Sequence, residues 1–287
     1  MPLIQYGIEV AQLWYLRLGG PHGKFHTDIF FASVPSLSNC SMGQMYTNDL
    51  TFSKLNHRIL IPDTLIPFIQ DIGIPSELHS DDAKELTQGK MKDLLEKFWI
   101  KGTQSEPCSP WQVRVELCIR EVKRAVRHSL ETSRALKHLW DYCTKYHCEL
   151  HNLTAHPIFI LQDRTPYEWV VGRTPDISEY IDYQWYETVW YLDRDAEFPN
   201  NKKKLGKWLG IAHNVGQALC YYILPSSGHP IVHSKIQALS NDQRQSTEIQ
   251  QAVRDLHQAI SDKFKSEADH FPHRTCNLMK NFRYTYL

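Results

Sequence analysis

The 287-residue sequence predicts an α/β protein: a mixed sheet with flanking helices, followed by a small all-β, barrel-like domain and a C-terminal helix. Three observations predict this. Strand-like runs open the chain and then alternate with amphipathic helices. From Trp185 several short strands follow one another, separated by turn signals. After Ser240 a polar helical pattern carries Ile249, Val253, Leu256 and Ile260 at helical spacing.

Residues 1–20 read as a short helix ended by Gly19-Gly20. Strands are expected over 26–34, 42–48 and 51–60. Pro62-Asp63 opens a helix to about Asp71, with Leu65, Phe68, Ile69 and Ile72 on one face. Residues 75–81 read as a strand, and 90–99 as a helix with Met91, Leu94, Leu95 and Phe98 inward. A polar loop over 102–110 precedes two longer helices, 112–131 and 135–153. Residues 156–182, with Pro157, Pro166 and Pro175, read as a tether. Beyond it, 185–192, 207–212, 217–224 and 230–236 are strand-like. The expected organisation is therefore 1–22 helix and linker, 23–155 α/β core, 156–182 linker, 183–238 small β-domain and 239–287 helical tail.

Composition narrows the classes. No run of about 18 apolar residues is present, so no membrane span is expected. The N-terminus lacks a basic-then-apolar leader pattern. Seven cysteines form no C-x-x-C pair, which fits a reducing compartment. The formal net charge is zero, so any affinity for nucleic acid has to come from local clustering of cations.

Three carboxylates stand out. Asp28 sits inside the apolar strand run His26-Thr27-Asp28-Ile29-Phe30-Phe31, Asp81 ends a second strand, and Glu116 lies early in a long helix. A charge inside an apolar strand is costly unless it is paired or binds metal. Two strand carboxylates and one helix carboxylate are the oxygen donors that a pair of Mg²⁺ or Mn²⁺ ions needs for phosphodiester chemistry. On the helix, Val115, Ile119, Val122 and Val126 form an apolar stripe, and Glu116, Arg120, Lys123 and Arg127 a charged one beside it. The plain alternative is a solvated row in which Glu116 pairs with Arg120. The sharper reading is a metal ligand followed by a DNA-backbone ridge. Lys202, Lys203, Lys204 and Lys207 form a second cationic cluster in an expected hairpin. Trp185, Tyr186, Trp190, Tyr191 and Trp208 could stack bases, but a β-domain core is the simpler use. Cys143, His147 and His151 share one helix face, with His138 nearby, and packing against the core competes there with a zinc site.

At this point the motifs resemble the integrase of copia-type retrotransposon Pol polyproteins. The matching runs are His26-Thr27-Asp28-Ile29-Phe30-Phe31, Ser80-Asp81-Asp82-Ala83-Lys84-Glu85 and Glu106-Pro107-Cys108-Ser109-Pro110-Trp111-Gln112. Thr165-Pro166-Tyr167-Glu168, Thr174-Pro175-Asp176-Ile177-Ser178, Lys207-Trp208-Leu209-Gly210 and Gly216-Gln217-Ala218 resemble later segments. The resemblance spans roughly residues 22 to 240. It implies a ribonuclease-H-like integrase core over 23–155, with Asp28, Asp81 and Glu116 as catalytic and metal-binding residues. It also implies two Mg²⁺ or Mn²⁺ ions, DNA integration with element ends and target DNA as partners, and a homo-oligomer when active. The expected location is the nucleus, or a cytoplasmic particle before nuclear entry. Val113 stands where the family usually has Asn, and Glu116 falls one position early, which leaves Glu121 as the other choice for third ligand. No upstream His/Cys zinc module is seen. The chain reads as a fragment of a larger polyprotein or a remnant gene. The alternatives are therefore a catalytically inactive remnant that binds DNA or protein, and a nuclease that cuts without joining.

Overall fold

The computed structural model describes residues 23–48, 53–56, 64–81, 86, 88–105, 114–157, 161–193, 197–199, 201–213, 215 and 219–270. The expected N-terminal helix and the 107–112 run lie outside the described residues. The chain forms two compact units, one running to Tyr186 together with Leu209–Ile211, the other comprising Glu187–Trp208 and the chain from Ala212.

The first unit is built on a five-stranded sheet. Its strands are β1 (Lys24–Phe31), β2 (Met42–Asn48), β3 (Ser53–Asn56), β4 (Glu77–Ser80) and β5 (Lys101–Gln104), in the order β3-β2-β1-β4-β5. Strand β2 runs antiparallel to both β1 and β3. Strand β4 runs parallel to both β1 and β5. A meander of three antiparallel strands extended by two parallel ones, with helices on both faces, is the ribonuclease-H-like arrangement. Helices α1 (Leu65–Ile72) and α2 (Lys90–Lys97) interrupt the parallel half. Then come α3 (Arg114–Ser133), a 3-10 turn (Lys137–Leu139), α4 (Trp140–Leu153) and two short helices, α5 (Pro166–Val171) and α6 (Ser178–Ile181).

Side-chain alternation along β1 explains the layering. Phe25 and Ile29 point into a core with Tyr46, Leu65, Phe68, Leu78, Met91 and Leu94, so this face is covered by α1 and α2. Phe68 stacks on Tyr46 (4.4 Å) and meets Phe25 edge-on (5.0 Å). Several buried polar groups on this side pair with one another. Gln44 donates to Thr27 Oγ1 (2.9 Å), Thr27 to the Met45 carbonyl (3.0 Å), and the Tyr46 hydroxyl bonds Thr64 Oγ1 (2.8 Å). On the opposite face Phe30 meets Trp140 of α4 (5.9 Å). The apolar stripe of α3, Val115, Ile119, Val122 and Val126, is buried.

Two expectations change here. Residues 101–104 form an edge strand rather than a loop. They are mostly exposed and carry no apolar alternation, so only pairing with β4 identifies them. The expected tether contains α5 and α6. Thr165 caps α5 by accepting the Glu168 amide, Pro166 occupies its first turn, and Gly172 ends it in the left-handed conformation (φ 79°).

The second unit holds an antiparallel sheet in the order β10-β6-β7-β8-β9, from β6 (Thr188–Leu192), β7 (Lys203–Ile211), β8 (Tyr221–Leu224), β9 (Ile231–His233) and β10 (Ile236–Ala238). Among the described residues this sheet has two ends, β10 and β9. Helices α7 (Asn241–Gln245) and α8 (Thr247–His270) follow. Ser240 and Gln243 form a capping box at the start of α7. Leu256, Ile260 and Phe264 of α8 are buried. Among the described residues, no helix is long and apolar enough to cross a membrane.

Candidate active site

Strand register brings the two aspartates together. Thr27 of β1 pairs with Ser80 of the parallel strand β4, so Asp28 and Asp81 each stand one residue past that pair, Asp28 within β1 and Asp81 just beyond the end of β4. Neighbouring strands lie about 4.8 Å apart. This is also where the chain switches from building leftward, to β2 and β3, to building rightward, to β4 and β5. Open sheets commonly bind ligands at the carboxyl ends of strands at such a switch. Helix α3 crosses this face with Glu116 in its first turn. Asp28 and Glu116 line one cleft together with Ile29, Phe30, Arg120 and Lys123.

The electrostatics report the same neighbourhood. The Asp28 carboxyl is pushed up from 3.8 to about 7, first by burial, then by the negative charge of Asp81, with a further contribution from Glu116. A hydrogen bond from the Ile29 amide to Asp28 Oδ1 (2.7 Å) and the positive charge of Lys123 oppose the rise. Glu121, the other choice for third ligand, lies on the exposed side of α3 and pairs loosely with Arg124 (3.9 Å). Glu116 therefore shares the field of Asp28, and Glu121 does not figure among the causes of its shift. Among the described residues, no three His, Cys, Asp or Glu side chains are gathered closely enough to enclose an ion as they stand. The donors nonetheless suit a hard divalent cation. They are carboxylate oxygens whose mutual repulsion a cation would relieve.

Reasoning from sequence missed the layer beneath the aspartates. His26 and His79 sit two residues before Asp28 and Asp81, on the same sheet face and in direct register. Their rings meet edge-on at 5.2 Å, and both are buried. His79 is fixed by Thr103 Oγ1 and Ser105 Oγ, each at 3.0 Å. Alternation along β1 was the signal that could have found His26. The ring pair itself depends on the β1–β4 register.

Of the expected DNA-binding cations, Arg120, Lys123 and Arg127 line the Asp28 cleft and are exposed. Burial pulls Lys123 below the usual lysine range; Asp28 opposes this and Arg127 adds to it. In the second unit Lys202, Lys203 and Lys204 are exposed, with Lys204 paired to Asp193. Lys207 differs from them. It is 9% exposed, donates to Thr188 Oγ1 (2.7 Å), and burial lowers it to about 8. As folded, it belongs to the sheet and not to a surface cation cluster.

The aromatics weighed as base-stacking groups are mostly internal. Tyr191 and Trp208 are buried in the second unit, as expected of a β-domain core, and Trp190 donates to Gln243 Oε1 (3.3 Å). Trp185 and Tyr186 are buried as well but belong to the first unit, where Trp185 packs on Tyr146 (5.9 Å). The Cys143, His147, His151 face is also internal. The Cys143 thiol points at the Val126 carbonyl, and His147 Nε2 bonds Ser129 Oγ (2.8 Å).

No protein-family model matches the chain, and neither does any curated protein sequence. Solved structures are similar. The catalytic core domain of BIV integrase is 17% identical with a TM-score of 0.42, the match covering 57% of this chain and 100% of that one. A simian T-cell lymphotropic virus intasome in complex with PP2A regulatory subunit B56 gamma is 15% identical with a TM-score of 0.45, covering 77% of this chain and 80% of that one. The fold itself is read from strand order and direction.

Proposed function

We propose that the chain is an integrase-type polynucleotidyl transferase that cleaves and joins DNA strands with divalent metal. In this reading it descends from a copia-type retrotransposon Pol polyprotein. The observation that carries the reading is the Asp28 carboxyl, held inside strand β1 in the combined field of Asp81 and Glu116. A carboxylate so repelled is unfavourable in its charged form, and a cation beside it would stabilise that form. Asp28, Asp81 and Glu116 would hold Mg²⁺ or Mn²⁺. The bound ions would supply activation of water or a DNA 3′-hydroxyl and stabilisation of the leaving oxygen.

The remaining work falls to this chain's own residues. Arg120, Lys123 and Arg127 neutralise phosphates along the strand that enters the cleft. Phe30 and Ile119 wall the cleft with apolar surface and strengthen its electrostatics. DNA ends and target DNA are the partners, the active form is a homo-oligomer, and the place of action is the nucleus or a particle on its way there. The test is a strand-transfer assay with labelled duplex ends in Mg²⁺ or Mn²⁺, comparing wild type with Asp28→Asn. Joining by wild type alone supports the transferase. Cutting without joining would mean a nuclease. DNA binding without either would mean an inactive remnant.

A further inference from the structure

Three ranks of side chains climb the sheet face that carries Asp28. The lowest is Lys24, Glu77 and Lys101, and the next is His26, His79 and Thr103, each in direct register across β1, β4 and β5. Side chains alternate along a strand, so the following rank on that face is Asp28, Asp81 and Ser105. The paired register of these three strands ends one residue short of it, at Thr27, Ser80 and Gln104. The lower ranks are tied together. Glu77 bridges Lys24 (3.6 Å) and Lys101 (3.3 Å). Thr103 Oγ1 donates to Glu77 Oε1 (3.0 Å), which commits its hydroxyl proton. Thr103 Oγ1 therefore accepts from His79 Nδ1 (3.0 Å). His79 Nε2 bonds Ser105 Oγ (3.0 Å), and the Ser105 amide donates to the Ser80 carbonyl (3.0 Å).

His79 thus joins the ion-paired lower rank to Ser105, in the rank of the aspartates. Its buried ring meets His26 of β1 edge-on (5.2 Å), and its two nitrogens hold Thr103 within β5 and Ser105 just past it. One side chain on β4 therefore sets the lateral spacing of three strands directly below the carboxylates. Ser105 in turn grips β4 at Ser80, the residue before Asp81. We infer that His79 is a positioning residue, fixing Asp81 relative to Asp28, the pair that would share a divalent cation. It touches neither metal nor substrate in this role and acts on Asp81 through Ser105 and Ser80. Partners of this kind orient the groups that hold a metal. The inference rests on the proposed function and deepens it.

Mn²⁺ binding to the full chain, followed by the electron paramagnetic resonance signal of free Mn²⁺, tests this. His79→Phe keeps a ring against His26 and loses both hydrogen bonds. Thr103→Val removes the acceptor of His79 Nδ1, and Thr103→Ser restores it. His79→Phe and Thr103→Val should each weaken Mn²⁺ binding at least about fivefold, and Thr103→Ser should bind as wild type does. A merely structural role would lower the melting temperature and leave the affinity of the folded protein unchanged. Wild-type affinity in folded His79→Phe or Thr103→Val would overturn the inference and leave the proposed function standing. Equal loss in Thr103→Val and Thr103→Ser would do the same. The two Thr103 variants, on the edge strand, decide by themselves if His79→Phe does not fold. A wild type that binds no Mn²⁺, or binds it no better than Asp28→Asn, would overturn both the proposed function and the inference.

Discussion

The Lys123 ammonium lies over the Phe30 ring, 5.2 Å from its centroid, while its charge acts on Asp28 two residues back along the same strand face. A cation–π contact of this kind is worth about 0.5–2 kcal/mol, depending on desolvation. It holds a positive charge at the cleft without an ion pair that would neutralise the carboxylate. Lys123 is thereby placed beside the carboxylates.

Metal should act on stability through Asp28. Adding Mg²⁺ in the millimolar range should raise the melting temperature of wild type, because the cation relieves the repulsion among Asp28, Asp81 and Glu116. Asp28→Asn conserves shape and the acceptor for the Ile29 amide. It should fold, lose the Mg²⁺ response, and lose strand transfer by about a thousandfold or more. Differential scanning fluorimetry with and without a chelator reads the first effect. An equal shift in wild type and variant would remove Asp28 from the metal site.

Replacing Arg120, Lys123 and Arg127 with Ala should weaken DNA binding alike for all sequences. The slope of log affinity against log salt should fall by about one for each phosphate no longer neutralised. Binding titrations at several salt concentrations check it. A weakening confined to one sequence, with the slope unchanged, would mean that these side chains read bases.

His147 should make the protein acid-sensitive. Burial first, and then the neighbouring charge of His128, lower it from 6.5 to about 4. The native state therefore holds this ring neutral where the unfolded chain already binds a proton. Its contribution is level above about pH 6.5, and stability falls as pH drops from there towards 4, by on the order of 2 kcal/mol given its partial exposure. In His147→Gln this part of the acid sensitivity should be absent. Urea midpoints at pH 7 and pH 5 measure it, and an unchanged difference between the two pH values would refute the assignment.

Gly206 is required by packing. A Cβ there would lie 2.4 Å from Ile223 Cγ2 and 3.3 Å from both the Leu224 carbonyl oxygen and Tyr191 Cδ1. Gly206→Ala should cost roughly 1–3 kcal/mol, as overpacking does. It should lower the thermal midpoint of the second unit. A neutral substitution would mean that the β6–β7–β8 packing is looser than these distances imply.

The periodic parts of this protein were legible in the sequence. The apolar stripe Val115, Ile119, Val122, Val126 marked α3, and alternation marked β1 and β2, because helix and strand periods depend on neighbours close in sequence. Asp28 was conspicuous because a charge inside an apolar strand is costly. Strand β5 was not legible, since four mostly polar edge residues carry no period and are defined by hydrogen bonds to β4. Lys207 was read with its lysine neighbours, although strand alternation turns it inward to Thr188.

Sequence by itself determined the fold class, the helix faces and the three carboxylates worth watching. Tertiary structure decided that Asp81 stands beside Asp28, that Glu116 rather than Glu121 shares their field, and that His26 meets His79. The physical reason is the same in each case. Local periodicity fixes which way a side chain points, but the parallel register of β1 and β4 and the crossing of α3 over them fix what it points at. Those pairings join residues about 50 to 90 positions apart, a separation across which no local sequence pattern carries a signal.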